Sequence, residues 1–217
     1  MNIPVRALIF DMDGTIADTM RFHDDAWEQW HGRLGLPFDR KGFFAATAGR
    51  TGPEILGELF PGKTLDELRA LDEIKEQLYR ELCRPHLAPV AGLLDLLDRA
   101  DDAGIPMAVG TAAPNGNVDF TLDGLGIRHR FHNVASPSQG FRGKPQPDLF
   151  LAAAERMGVA PEHCIVFEDA PLGIEAARRA GMRAVALLTS ARAETFASFD
   201  NLIAAMPDFT TFDHPLG

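Results

Sequence analysis

The chain is poor in cysteine: 217 residues contain two, Cys83 and Cys164. Two thiols so far apart give neither a disulfide framework nor a zinc-ligand spacing, and both are expected to be reduced. Clustered basic charge is missing as well. The 21 Lys and Arg are outnumbered by 31 Asp and Glu, for a formal net charge of −10. That balance argues against nucleic acid and anionic membrane as partners, and an anionic ligand would need a local cation or a metal. No apolar run reaches the length of a membrane span. The opening MNIPVRALIF lacks the parts of a secretory signal and reads as a first strand. Repeats and low-complexity tracts are absent. These absences leave a cytoplasmic α/β protein as the expectation, with 46% hydrophobic residues to fill one large domain or two unequal ones.

What is present has a clear order. Val5–Phe10 is a continuous apolar run suited to a strand buried on both faces. From Asp18 to about Leu34 the pattern is helical, with Phe22, Trp27, Trp30 and Leu34 as candidate buried positions, and Gly35-Leu36-Pro37 stops it. Residues 38–85 read as helical throughout. Leu65, Leu68, Leu71, Ile74, Leu78 and Leu82 recur at helical spacing, Thr64 and Glu67 make a capping box, and the acidic run over Asp66–Glu76 reads as a solvated face.

After the Pro-rich connector RPHLAPVAG (84–92), strands and helices alternate. Strands are expected at Met107–Gly110, 133–136, Ile165–Phe167 and Ala184–Leu188. Helices are expected at 92–103, 115–125, Pro147–Met157 and Leu172–Ala180. The tail 191–217 is the least legible part, with PDFTTF as a candidate edge strand. The expected fold is a Rossmann-like α/β core with a parallel sheet flanked by helices, formed by residues 1–19 and 86–217. It is interrupted by an all-helical domain at 20–85, with hinges at Gly14–Asp18 and Arg84–Ala91.

Ligands of open parallel sheets bind at the carboxyl ends of the strands. Four polar stretches fall there: Asp11/Asp13, Thr111, Lys144 and Glu168/Asp169. The carboxylates make a hard oxygen set suited to Mg²⁺. Thr111 offers a hydroxyl and neighbouring backbone N–H groups to a phosphate. Lys144 adds positive charge for a carboxylate nucleophile and an anionic group. Together they suit phosphoryl transfer to an aspartate.

The motifs DMDGT, Thr111, Lys144 and EDAPLGIEAA, in that order over about residues 5–190, resemble the four motifs of the haloacid dehalogenase superfamily of phosphotransferases. The resemblance implies Asp11 as the nucleophile that becomes an aspartyl-phosphate, and Asp13 as the general acid/base. It also implies Mg²⁺ on Asp11, Asp169 and the backbone carbonyl of Asp13, with Glu168 as a further ligand or an outer-shell group. Thr111, Ala112 and Lys144 would bind phosphate. The true dehalogenases of the superfamily lack the second aspartate, so Asp13 argues against that chemistry.

The helical insert resembles a type-1 cap. DTMRFHDDAW (18–27), Lys75 and Tyr79 resemble the β-phosphoglucomutase subfamily, which points to a phosphorylated sugar or polyol as the small-molecule partner. Thr19, His23, Arg50, Lys75 and Asn115 are the expected substrate-side residues. Where the mutase carries Ser-Lys-Asn after its second motif, this chain reads Ala113, Pro114 and Asn115. Alanine donates no side-chain hydrogen bond, and proline has neither charge nor N–H. A phosphatase is therefore the favoured expectation, with a phosphosugar mutase as the alternative. Pyrophosphatase and a non-catalytic metabolite-binding relative stay open. A monomer is expected, since a cap must move.

Overall fold

The structure, a computed structural model, describes residues 4–47 and 50–216, with the backbone alone at Phe44 and Ala45. Six parallel strands form one sheet in the order β3-β2-β1-β4-β5-β6. They are β1 (Ala7–Phe10), β2 (Met107–Gly110), β3 (Asn133–Ala135), β4 (Cys164–Glu168), β5 (Arg183–Leu187) and β6 (Leu202–Met206). Four helices intervene between β1 and β2 before the regular crossovers begin: α1 (Met20–Arg33), α2 (Arg40–Thr47), α3 (Gly52–Leu59) and α4 (Leu65–Cys83). Then come α5 (Leu93–Asp102), α6 (Asn115–Gly124), α7 (Asp148–Met157) and α8 (Pro171–Arg179). The expected α/β sheet with a helical insert is what the chain forms.

The strands are apolar because both faces of the sheet are covered. Leu8 and Phe10 join Met107, Val109, Ile165 and Phe167 in a core of large side chains shared with α5 and α6. The alternate residues Ala7, Ile9, Ala108, Val166 and Ala184 pack on α7 and α8. This second face is rich in alanine, so its helices come close. Gly110 shows how close, since a Cβ there would stand 2.7 Å from the Phe150 ring. Both cysteines are buried and unpaired, and burial pushes the thiols up to about 11 at Cys83 and about 12 at Cys164.

The inserted helices have apolar clusters of their own. Trp27, Trp30, Ile55, Leu56 and Leu68 form one, and Phe22, Ala26, Leu78 and Tyr79 form another. Chain enters and leaves this unit side by side. Ala17 bridges to Pro89, and Val90 N donates to Ile16 O at 2.9 Å. Among the described residues no helix is long and apolar enough to cross a membrane.

Several local expectations are corrected. Leu34, Leu65 and Ile74 are about half exposed: Leu34 lies just past the end of α1, and the inward face of α4 runs through Leu68, Asp72, Lys75, Tyr79 and Cys83 instead. Asp72 and Glu76 are accordingly buried, not part of a solvated face. The edge strand is Leu202–Met206, and PDFTTF does not extend it. Its Phe209 opens a 3₁₀ turn (Phe209–Thr211), Phe212 follows it, and both reach Phe167, which holds the turn against the core.

Candidate active site

Asp11 is the first residue past β1. Its N–H donates to Phe167 O at 2.9 Å, which places it in the crevice between β1 and β4, where the strand order reverses. The chain then turns sharply. Ile16 N donates to Met12 O at 2.9 Å and Gly14 N to Ala17 O at 2.7 Å. Gly14 has φ +84°, and a Cβ there would lie 2.0 Å from Asp169 Oδ2. Glycine is thus required both for the turn and for the approach of Asp169. Thr15 closes the turn through its backbone alone, its N–H donating to Met12 O at 3.3 Å while its buried hydroxyl makes no hydrogen bond.

Lys144, from the loop after β3, reaches under this turn. Its ammonium contacts Asp11 Oδ1 and donates to Glu168 Oε1 at 2.7 Å. Glu168 is fixed at its other oxygen by Ala170 N, 2.5 Å away. Asp169 is held by the Ser190 hydroxyl. Asp11, Glu168 and Asp169 are all buried, and each offers an oxygen within 4.8 Å of the others. Burial pushes the Asp11 carboxyl up to about 8, with Glu168 and Asp13 adding to the shift and Lys144 opposing it. Burial and the charges of Glu168 and Asp11 raise Asp169 well above the usual carboxylate range. Three carboxylates around one ammonium are short of positive charge. A buried all-oxygen set with that deficit fits a hard divalent cation.

Asp13 has different company. Thr19, the residue before α1, donates to its Oδ1 at 2.7 Å, and the Tyr79 hydroxyl does so at 3.1 Å. His23 Nε2 stands 3.4 Å away, with its ring stacked on Tyr79 at 3.7 Å. Burial would raise this carboxyl, but the imidazole and the two hydroxyls outweigh it and hold it below its ordinary value. Asp11 and Asp13 are thus pushed in opposite directions by their surroundings.

Thr111 is buried at the end of β2. Its N–H is taken by Ala135 O at 3.1 Å, and its hydroxyl accepts from Ala113 N at 3.0 Å. The Ala112 N–H keeps no partner among the described residues, and Ala112 lines the same cavity as Asp11, Asp13 and Lys144. Of the other expected residues, His23 and Lys75 also face that cavity. Arg50 lines it while pairing with Glu58 at 2.6 Å. Asn115 does not reach it: it is exposed and accepts a 3.2 Å bond from Ser136. Asn117, two residues on, takes its place, buried and donating to Glu76 Oε2 at 2.7 Å.

Glu76, Asn117 and Ser190 carry no motif. The spacing of Leu68, Asp72, Lys75, Tyr79 and Cys83 is a helical stripe that passes beside Glu76. It was a signal for the first of the three; nothing in the sequence signals Ser190.

A parallel sheet bearing an acidic pair after its central strand, a buried lysine and a second acidic pair at the neighbouring strand defines a hydrolase of one family. The chain matches the haloacid dehalogenase-like hydrolases over residues 5–181, and it belongs to that family. It is 38% identical over 178 residues to the fructose-1-phosphate phosphatase YqaB of Escherichia coli strain K12, an alignment that covers 82% of this chain and 94% of that protein. It is 34% identical over 190 residues to β-phosphoglucomutase of Bacillus subtilis strain 168, covering 83% and 82%. Among solved structures, a family IA haloacid dehalogenase hydrolase from Entamoeba histolytica superposes with a TM-score of 0.85 at 26% identity, over 94% of each chain. The sequence reading of a haloacid dehalogenase-type phosphatase agrees with this family and with the phosphatase among its relatives.

Proposed function

We propose that the protein is a magnesium-dependent phosphatase that hydrolyses a small sugar phosphate through an aspartyl-phosphate on Asp11. The observation that carries this reading is the pair of unlike carboxyls on one turn, facing one cavity. Asp11 is tied to a buried ammonium, and Asp13 to hydroxyls and an imidazole. The Asp11 oxygen not held by Lys144 attacks phosphorus as the ester P–O bond breaks, and Asp13 gives its proton to the leaving oxygen. Water then loses a proton to Asp13 and bonds to phosphorus. The acyl-phosphate P–O bond breaks, returning Asp11 and inorganic phosphate.

Asp11, Asp169 and the Asp13 carbonyl would hold Mg²⁺. When bound, the ion supplies the positive charge that returns the buried carboxyls to their ionised form and draws charge from the phosphoryl oxygens. Glu168, with both oxygens engaged by Lys144 and Ala170 N, acts as the anchor of Lys144. A phosphate dianion beside Asp13 raises its proton affinity, in the direction that the acid step needs. Residues 20–85 serve as a cap domain over a core of 1–19 and 86–217, with Tyr79 donating to Asp13 and His23 standing beside it from the cap side, opposite the core's own Thr19.

A sugar phosphate is supported by the E. coli relative's named activity on fructose 1-phosphate. The mutase reading rests on the B. subtilis relative, but Ala113 and Pro114 line the cavity and bring no donor for a second phosphate. A phosphorus NMR time course with Mg²⁺ and a panel of hexose, ketose and pentose phosphates tests the choice, with a trace of glucose 1,6-bisphosphate added to prime any mutase. Growth of inorganic phosphate is expected, and loss of that signal in Asp11→Asn. Interconversion of 1- and 6-phosphates without phosphate release, or wild-type turnover by Asp11→Asn, would overturn it.

A further inference from the structure

The cap side of the cavity has no unclaimed cation among the described residues. Lys75, 2% exposed, contacts Glu76 Oε1, and Arg50 is paired with Glu58. Over the whole lining, six carboxylates face three cations, one of which is Lys144. Glu76 sets the balance next to Lys75. It is 4% exposed, and its second oxygen accepts the 2.7 Å bond from Asn117 of α6. Asn117 Oδ1 in turn accepts from Arg80 at 2.8 Å. A carboxylate gripped at one oxygen by the insert and at the other by the sheet domain does not swing aside to release Lys75. Burial would favour the neutral acid, but Lys75 and His23 hold this carboxyl below its ordinary value, so it keeps its charge.

We propose that Glu76 is a specificity-determining residue that confines the cavity to esters carrying one phosphoryl group on an uncharged, hydroxyl-bearing remainder. The assignment rests on the phosphatase reading in one respect: it takes the reacting phosphate to lie at the Asp11 turn. A second phosphate reaching α1 and α4 meets an ammonium already neutralised and the carboxylates of Asp24 and Glu76. Stripping its water there without a counter-charge is unfavourable. A hydroxyl fits the same place, donating to the carboxylate and accepting from Lys75. The Trp27 ring, 4.8 Å from Lys75 Nζ, offers an apolar face to a sugar's carbon frame. Selection here works by an element that repels the wrong ligand.

The test compares a ketohexose 1-phosphate with its 1,6-bisphosphate, two ligands of one carbon frame. With Mg²⁺ present, kcat/KM is measured for the wild type, Glu76→Gln and Glu76→Asp. Calorimetric binding of the same two ligands to Asp11→Asn, with and without Glu76→Gln, reads the selectivity without turnover. The wild type is expected to favour the monophosphate by about a hundredfold. Glu76→Gln, which keeps a partner for Asn117 but frees Lys75, shrinks that preference about tenfold. Glu76→Asp, which keeps the charge, retains most of it. Equal use of both ligands by the wild type, an unchanged preference in Glu76→Gln, or the same loss in Glu76→Asp would each overturn the proposal. Selective binding of the monophosphate by a protein that releases no phosphate would uphold it while sinking the phosphatase reading.

Discussion

Replacing Asp72 by asparagine should make the protein more stable at neutral pH. Asp72 lies on the inward face of α4, 6% exposed, with its carboxyl against Gly52, where a Cβ would stand 1.8 Å from Oδ1. That oxygen has no hydrogen bond. Burial raises the carboxyl to about 7 from the usual 3.8, the nearby Glu76 adds to the shift, and Lys75 opposes it. A folded-state value above the unfolded one means that the folded protein binds the extra proton between about pH 4 and pH 7. The stability associated with that proton is complete below pH 4 and is lost as pH rises through 7. The loss over that window, at about 1.4 kcal/mol per pH unit, is about 4 kcal/mol. Asparagine does not titrate. Asp72→Asn and the wild type should therefore have similar stabilities near pH 4, and the variant should gain by several kcal/mol at pH 8. Urea unfolding at half-unit pH steps, followed by tryptophan fluorescence, measures the difference. Parallel stability curves from pH 4 to pH 8 would show that Asp72 is not a buried charge, and the reasoning would fail.

Three further outcomes follow from the site. Gly14→Ala combines a left-handed backbone strain of about 1–2 kcal/mol with displacement of Asp169, so kcat should collapse and Mg²⁺ affinity by calorimetry should weaken sharply. Tyr79→Phe removes one of the donors on Asp13. A net loss of about 1 kcal/mol corresponds to roughly a fivefold fall in kcat, seen in steady-state kinetics with a shifted pH profile and little change in KM. Stripping divalent cations with EDTA should stop phosphate release and lower the thermal midpoint, because a ligand of the folded state alone stabilises it. Restored Mg²⁺ should recover both.

The sheet was readable because strands covered on both faces are written as apolar runs, and the first site residues because they stand where those runs stop. The reading failed in the tail, where Leu202–Met206 is a short apolar edge strand with Ile203 and Ala205 exposed, and Phe209 and Phe212 serve the core from a turn and the residue after it. The cap was harder for a different reason. Helical periodicity is normally counted on apolar side chains, and α4 turns Asp72, Lys75 and Tyr79 inward along with Leu68. Charges that satisfy one another inside look, in one dimension, like charges facing water. Asn115 and Asn117 differ by two positions on a helix, which is more than half a turn, and only coordinates separate the exposed one from the one that bonds Glu76.

The surroundings of Asp13 have a consequence for engineering. The carboxylate belongs to the turn after β1, but the Tyr79 hydroxyl bonded to it and the His23 imidazole beside it sit on α4 and α1 of the insert. The insert is therefore not an interchangeable attachment that carries substrate preference alone. On the proposed mechanism, grafting a relative's helices onto this sheet would exchange the surroundings of the acid/base together with the selectivity, and a chimera would have to be matched at Asp13 before its specificity could be judged.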